Sequence, residues 1–281
     1  MNVEEIPIVF KCQDSRLLGI LHKPENPGRR GVVIVVGGPQ TRVGSHRQFV
    51  LLARFLAERG IPVFRFDCRG MGDSDGSRRS FDQIHDDIES AIDEFQNLTD
   101  IRNVVLWGLC DGATAASFYA HKDIRVKNIV LVNPWVRTDT GEARASIRHH
   151  YLKRVFSRDL WSKIRNGQFS YRSSISSFFW VAKTAILGNS ANRKKPGHLP
   201  ERMAKGIAQF TGGTLIILSG QDLTAKEFSS TIRSSGEWRS LFKQKDISKR
   251  EIPEADHTFS RSVWREQVEH WTLDWLKGDL R

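Results

Sequence analysis

The segment Gly108-Leu109-Cys110-Asp111-Gly112 constrains the fold of this chain more than any other. It follows an apolar run at residues 103–107 and precedes a run of small residues at 113–117. A strand, a sharp turn and a helix in this order force Cys110 into a strained turn, with its sulfur exposed above a sheet and a helix N-terminus beneath it. Such a turn is a nucleophile elbow, here with cysteine where serine is usual. The segment therefore predicts an enzyme that uses a thiolate.

The hydrophobic pattern around this elbow predicts the rest of the architecture. Strand-like and helix-like patterns alternate through the first half of the chain, which is typical of a mostly parallel sheet with helices on both faces. The predicted strands lie at residues 6–12, 16–22, 31–36, 62–66, 103–107, 128–132, 214–219 and 249–252, and the main predicted helices at residues 46–58, 81–98 and 262–276. The prediction is an α/β chain with a mostly parallel, eight-stranded sheet flanked by helices.

The alternation stops after the sixth predicted strand. Residues 137–205 contain 15 Lys or Arg and 4 Asp or Glu, which accounts for the whole formal net charge of +11. We interpret this segment as a basic helical lid inserted into the core, which then consists of residues 1–136 and 206–281. The basic face is compatible with a solvated surface, with an anionic substrate or carrier, or with peripheral contact with an anionic membrane. No nucleic-acid module is recognisable, so a nucleic acid is not an expected partner.

Cysteine content and hydropathy indicate the compartment. The three cysteines, Cys12, Cys68 and Cys110, cannot form a disulfide framework, so we expect a reducing compartment. The longest aliphatic run, residues 32–36, is far shorter than a membrane span. These features predict a cytoplasmic protein. We expect no metal and no cofactor, and the oligomeric state is left open.

Activation of a thiol requires a base, and the base requires a group that orients it. His257 lies between a short predicted strand and the last helix, and Asp222 follows the predicted strand at residues 214–219. The chain order of nucleophile, acid and histidine is that of α/β-hydrolases and differs from chymotrypsin-like and subtilisin-like enzymes. We therefore predict an α/β-hydrolase fold with Cys110, Asp222 and His257 as its catalytic triad.

Acyl transfer also needs two hydrogen-bond donors for the oxyanion. One predicted donor is the backbone N–H of Asp111, the residue after the nucleophile. The second is expected in the loop Gly37-Gly38-Pro39-Gln40, but Pro39 stands at the usual donor position and has no N–H. Gln40 is the first candidate for this donor and Gly38 the second.

Two other polar pairs invite a functional interpretation. His46 and Arg47 follow the oxyanion loop closely in sequence and are candidates for substrate binding, although the same segment also reads as the start of a helix. Asp67 and Arg69 lie in a glycine-rich segment after a strand, which is structural in α/β-hydrolases. We expect a structural role for both.

Several segments of the core resemble the exosortase A system-associated hydrolase 1 family. They are Gly37-Gly38-Pro39-Gln40, residues 42–49, residues 69–74, residues 107–111 and residues 133–137. The resemblance implies a hydrolase that occurs with exosortase systems, which are linked to exported proteins and exopolysaccharide in Gram-negative bacteria. The cysteine elbow also resembles that of dienelactone hydrolases, which have the same fold.

These features favour hydrolysis of an ester, thioester or lactone on a small-molecule or carrier-linked acyl substrate. Acyl transfer to a sugar or an amine is an alternative, because a thioester intermediate reacts readily with such acceptors. A non-catalytic binding protein on the same fold is a third interpretation.

Overall fold

The structure is a computed structural model that describes residues 2–38, 40–136 and 199–278. The chain divides into two units, Met1–Val136 together with Arg202–Arg281, and Arg137–Glu201. The sheet and the candidate site belong to the first unit. The predicted lid at residues 137–205 lies outside the described residues except for its end, which belongs to the helix Leu199–Gln209.

The strands carry the candidate site at their carboxyl ends. They are β1 (Val3–Cys12), β2 (Ser15–Pro24), β3 (Arg30–Val35), β4 (Val63–Phe66), β5 (Asn103–Leu109), β6 (Val126–Val132), β7 (Gly213–Ser219) and β8 (Ile247–Ile252). They form an eight-stranded sheet in the order β1-β2-β4-β3-β5-β6-β7-β8. β2 pairs antiparallel with β1 and β4, and every other pairing is parallel. The predicted fold class is confirmed.

Helices cover both faces of this sheet. They are α1 (Gln48–Ala57), α2 (His85–Asn97), α3 (Asp111–Tyr119), α4 (Leu199–Gln209), α5 (Leu223–Ser234), α6 (Gly236–Gln244) and α7 (Ser262–Lys277). The sequence pattern did not predict α5 and α6. None of the helices in the described ranges is long and apolar enough to cross a membrane.

The strand β3 shows why the sheet lies between two helical layers. Its side chains from Val32 to Val35 are fully buried, as expected of a parallel strand covered on both faces. Val32 and Ile34 belong to the core that also contains the buried residues of α1 and α7. On the neighbouring strand, Phe64 of β4 stacks on Phe95 of α2, so α2 packs on the sheet as well.

Parallel pairing brings the carboxyl ends of the central strands to one edge of the sheet. Leu109 of β5 pairs with Val132 of β6, and Val132 pairs in turn with Ile217 of β7. Ser219 at the end of β7 pairs with Ile252 at the end of β8. The loops that follow these strands therefore lie next to one another, which is where α/β sheets bind ligands.

Candidate active site

Cys110 lies in a strained turn between β5 and α3. Its backbone angles are φ 59° and ψ −123°, an unusual conformation for a residue with a side chain. A Cβ atom at Gly108 would clash with the backbone of Gly112, and one at Gly112 would clash with the carbonyl of Val35. The two glycines therefore allow the close approach of strand and helix that the elbow needs. The half-buried thiol projects from this turn.

Asp222 and His257 meet at the same edge of the sheet. The distance from His257 Nδ1 to Asp222 Oδ2 is 2.8 Å. Asp222 is also the N-cap of α5, and its carboxylate accepts hydrogen bonds from Thr224 N–H at 3.2 Å and Ala225 N–H at 3.0 Å. These two amides hold the carboxylate in place, so the imidazole has a fixed partner. The capping function was not predicted, although aspartate before a helix is a common start signal.

The Cys110 thiol also interacts with His257. The hydrogen bond to Asp222 and the interaction with Cys110 raise the pKa of the imidazole from its usual 6.5 to about 10, and desolvation opposes the increase. The raised pKa favours the charged ring at neutral pH. The structure thus brings together the three residues that the sequence singled out.

Asn133 and Ser219 tie the histidine loop to the sheet. The Asn133 side-chain amide donates to Ser219 Oγ at 2.7 Å and to the carbonyl of His257 at 2.9 Å. Ser219 N–H donates to Asn133 Oδ1 at 2.8 Å, and Ser219 Oγ–H donates to the carbonyl of Asp256 at 2.7 Å. Both side chains are buried. Sequence reasoning missed this pair, although polar residues at the ends of buried strands were a usable signal.

A cavity of about 570 Å³ opens beside Cys110. Val36, Met71, Phe81 and Trp135 supply apolar lining, and Arg78 and Arg79 also line it. The two arginines are exposed. The arrangement suits an apolar group that carries a negative charge. Neither arginine was singled out from the sequence.

The predicted oxyanion donors have other partners in this structure. Gly38 N–H donates to Asp111 Oδ2 at 2.7 Å. Gln40 N–H donates to the carbonyl of Gly37 at 3.3 Å, and Pro39 lies outside the described residues. Burial raises the pKa of the Asp111 carboxyl, while the N–H groups of Gly38, Asp111 and Gly112 favour its charged form. The assignment of the oxyanion donors remains a prediction. The Asp111 carboxylate lies beside the Gly38 donor.

His46 and Arg47, the predicted substrate-binding residues, are exposed in a short 3-10 turn, Ser45–Arg47. Both have positive φ angles, 53° and 61°. Burial raises the pKa of Asp256 beside the histidine loop, but hydrogen bonds from Ser260 and Thr258 outweigh this and lower it. Interaction with His46 adds to the decrease. Neither residue is among the described residues that line the cavity. The role of His46 and Arg47 in substrate binding stays a prediction.

Asp67 and Arg69 form buried ion pairs that hold loops together. Asp67 pairs with the guanidinium of Arg42 and accepts a hydrogen bond from its backbone N–H at 2.6 Å. Arg69 Nη2 lies 2.8 Å from Asp87 Oδ2, and the Asp87 side chain is fully buried. These contacts support the structural role expected for both residues.

Three curated proteins resemble parts of the chain. An uncharacterised 31.7 kDa protein of Escherichia coli is 27% identical over 197 residues, which cover 60% of this chain and 65% of that protein. The acyltransferase drtE of Aspergillus calidoustus is 27% identical over 38% of this chain and 36% of its own length. The polyketide transferase grgF of a Penicillium species is 31% identical over 34% of this chain and 35% of its own. The chain thus spans less than two thirds of each relative.

Solved structures share the fold over nearly the whole chain. The esterase Pf2001 of Pyrococcus furiosus superposes with a TM-score of 0.67 at 14% identity, over 99% of this chain and 92% of that one. A dienelactone hydrolase of Anabaena variabilis gives a TM-score of 0.63 at 14% identity over 100% of both chains. At this identity the likeness concerns the fold alone. Residues 32–270 match the alpha/beta hydrolase family, and the chain belongs to that family.

Proposed function

We propose that the protein is a hydrolase of esters, thioesters or lactones that uses Cys110 as its nucleophile. The observation that carries the proposal is the position of His257, whose Nδ1 lies 2.8 Å from Asp222 Oδ2 and whose pKa is raised by both Asp222 and Cys110. An α/β-hydrolase fold with esterase-like neighbours supports this reaction class.

The charge on His257 determines how the pair would react. A protonated imidazole cannot accept the thiol proton, so the reactive form is a Cys110 thiolate beside an imidazolium. The thiolate sulfur attacks the carbonyl carbon, and the carbonyl π electrons move to oxygen. When the tetrahedral adduct collapses, the bond to the leaving group breaks and His257 gives that group its proton. Neutral His257 then takes a proton from water, whose oxygen attacks the thioester and releases the acid with regeneration of the thiolate.

Substitution of the cysteine tests the proposal. We expect Cys110→Ala to lower kcat/KM for p-nitrophenyl esters and acyl thioesters by at least about 10³-fold, as losses of triad members do elsewhere. Cys12→Ala, which removes a buried thiol far from the elbow, is the matched control and should retain turnover. Equal turnover by wild type and Cys110→Ala would end the proposal.

The substrate is proposed to be a small or carrier-linked acyl compound with a negative charge. Two cationic side chains, Arg78 and Arg79, against the single carboxylate of Asp111 in the cavity lining support this class. The test compares the aryl ester of a succinate monoester, whose free carboxylate is charged, with its neutral methyl ester. We expect Arg78→Gln with Arg79→Gln to lower kcat/KM for the charged ester only, whereas Arg102→Gln on the exposed surface changes neither. A loss that is the same for both esters would refute the charge requirement.

Acyl transfer to a sugar or an amine is the second candidate. It is favoured by the names of two relatives, an acyltransferase and a polyketide transferase, each matched over about a third of its length. Product analysis of the acylated enzyme with and without acceptors separates the two reactions. If water is the only acceptor under all conditions, the transferase proposal fails.

The biological setting is also a proposal. The residues that resemble the exosortase A system-associated hydrolase 1 family support a role in cell-envelope or exopolysaccharide metabolism, with the reaction in the cytoplasm. The basic segment at residues 137–205 supports an anionic carrier or membrane surface as a neighbour. The mass of an adduct trapped on Cys110 in native lysate would identify the acyl group. Failure of Cys110 to react faster than free cysteine with iodoacetamide would instead favour the non-catalytic interpretation.

A further inference from the structure

The carboxylate of Asp111 lies where an α/β-hydrolase would bind negative charge. The residue follows the nucleophile and begins α3. Its Oδ2 accepts the Gly38 N–H at 2.7 Å, and the N–H groups of Asp111 and Gly112 also favour the charged carboxylate. Two of these three amides, those of Gly38 and Asp111, are sequence-predicted donors for the oxyanion. Cys110 and Asp111 line the same cavity.

Glycine at two positions makes room for this carboxylate. A Cβ atom on Gly37 would collide with Asp111 Oδ1, and Gly38 adopts φ +62°, a conformation that favours glycine. The loop after β3 therefore packs directly against the Asp111 side chain. The contact between this loop and Asp111 is part of the structure of the elbow.

Two negative groups compete for the hydrogen of one amide. An N–H group has one hydrogen to donate, and an oxyanion next to a carboxylate would be repelled by it. We propose that the Asp111 carboxylate is a built-in competitor for the oxyanion site, so that it must leave the Gly38 N–H, or lose its charge, before a substrate oxygen can be stabilised there. This inference rests on the proposed function, because the oxyanion arises from attack by Cys110.

The charges that face Asp111 set the pH dependence of this competition. Arg78, from the loop before α2, acts on the carboxylate and favours its charged form. Arg79 lines the same cavity, and Cys110, next to Asp111 in the chain, interacts with His257, whose pKa is raised. A neutral carboxyl holds the amide less tightly than a carboxylate does. Acylation should therefore become slower, relative to other reactions of the thiol, as pH rises through the pKa of Asp111.

The test compares two reactions of the same thiol. Acylation by a p-nitrophenyl ester forms an oxyanion, whereas alkylation by iodoacetamide displaces iodide and forms none at a carbonyl. We expect Asp111→Asn, which keeps the shape without the charge, and Asp111→Ala, which removes the group, each to raise the ratio of acylation to alkylation rate constants about fivefold to tenfold at pH 8. Asp100→Asn, an exposed carboxylate in the turn before β5, is the control and should leave the ratio unchanged.

The wild-type protein supplies a measurement that does not depend on the folding of any variant. Its ratio of acylation to alkylation should fall as pH rises through the pKa of the Asp111 carboxyl, which burial raises above its usual value. The inference is overturned if this ratio is constant with pH. It is also overturned if the ratio in the folded variants equals that of wild type, or if it drops, since a drop would mean that the carboxyl assists acylation.

The same data separate this inference from the proposed function. If acylation depends on Cys110 but not on Asp111, only the competition is wrong. If no ester or thioester is turned over by Cys110 while iodoacetamide still labels it, the proposed function fails and the competition fails with it.

Discussion

Asp222→Asn removes the charge that orients His257 and changes little else. Asparagine is as good an N-cap as aspartate, so the start of α5 should survive the exchange. In the wild-type structure the hydrogen bond to Asp222 and the interaction with Cys110 raise the pKa of His257 from 6.5 to about 10. At about 1.4 kcal/mol for each tenfold change, this corresponds to at most about 5 kcal/mol in favour of the charged ring.

Exposure to solvent reduces this free-energy preference for the charged His257 ring. One third of the His257 side chain is exposed, at 33%, so screening lowers the effective preference to about 2–3 kcal/mol. Because the hydrogen bond to Asp222 is the largest cause of the increase, we expect the pKa of His257 to fall below about 8 in the Asn variant. The amide also favours the wrong imidazole tautomer, which should lower kcat/KM by about 10³-fold to 10⁴-fold.

Two measurements check these values. Proton NMR of the His257 ring gives its pKa directly, and the pH profile of Cys110 alkylation shows where the reactive ion pair is lost on the alkaline side. The sign follows from the raised pKa: stabilisation by the charged ring is complete below about 6.5 and disappears as pH passes about 10. Asp222→Ala measures the capping contribution separately, at about 1 kcal/mol of folding stability. A His257 that still titrates near its wild-type value in Asp222→Asn would refute this account of the site.

Three further perturbations test other parts of the structure. Asn133→Ala removes the hydrogen bonds that hold Ser219 and the His257 carbonyl, so kcat should fall about tenfold with little change in KM. Steady-state kinetics measure both constants. An unchanged kcat would contradict a positioning role for Asn133. Burial raises the pKa of Glu269 on α7 to about 7, so the unfolding free energy of the wild type should fall as pH rises from about 4.5 to about 7. In urea unfolding, Glu269→Gln should gain up to about 3 kcal/mol at pH 8 and nothing near pH 4. An equal gain at both pH values would contradict this. Asp87→Asn leaves the buried Arg69 without its main partner and should cost about 3–5 kcal/mol of unfolding free energy, while kcat of the folded enzyme is unchanged.

The fold was predictable because its strands carry a strong signal. Residues of β3 and β5 form continuous apolar runs, and such runs fit a parallel sheet that is covered on both faces. The helices α5 and α6 gave a weaker signal, since Phe228 and Trp238 are among the few residues that they bury. A helix that contributes so small a stripe to the core is hard to separate from a polar loop by periodicity alone. The capping residues Asp222 and Ser235 were the better indicators of where these helices begin.

The positions of the candidate residues were predictable where chain order and backbone conformation decide them. Glycines at 108 and 112 fix the elbow, and the order of Cys110, Asp222 and His257 follows from the order of the strands that carry them. Contacts between side chains and the backbone of distant loops are different, because nothing in the sequence marks a partner. Asn133 with Ser219 and Asp111 with Gly38 each join positions more than 70 residues apart, at separations of 86 and 73. Only the folded sheet brings them into contact.

The bond between Asp222 and His257 and the engaged amide of Gly38 bear on the proposed use of a thiol as nucleophile. A hydroxyl must lose its proton during attack, which requires a neutral histidine and strong stabilisation of the oxyanion from the outset. Here the bond to Asp222 favours a charged His257, and the amide of Gly38 is engaged by the Asp111 carboxylate. A thiolate paired with an imidazolium is already ionised before attack, so it needs no base at that moment. It also depends less on prior access to the amides, because an acyl carbon can approach the sulfur before Asp111 yields its hydrogen bond. The engaged amide of Gly38 is therefore less of an obstacle to a cysteine at position 110 than it would be to a serine there.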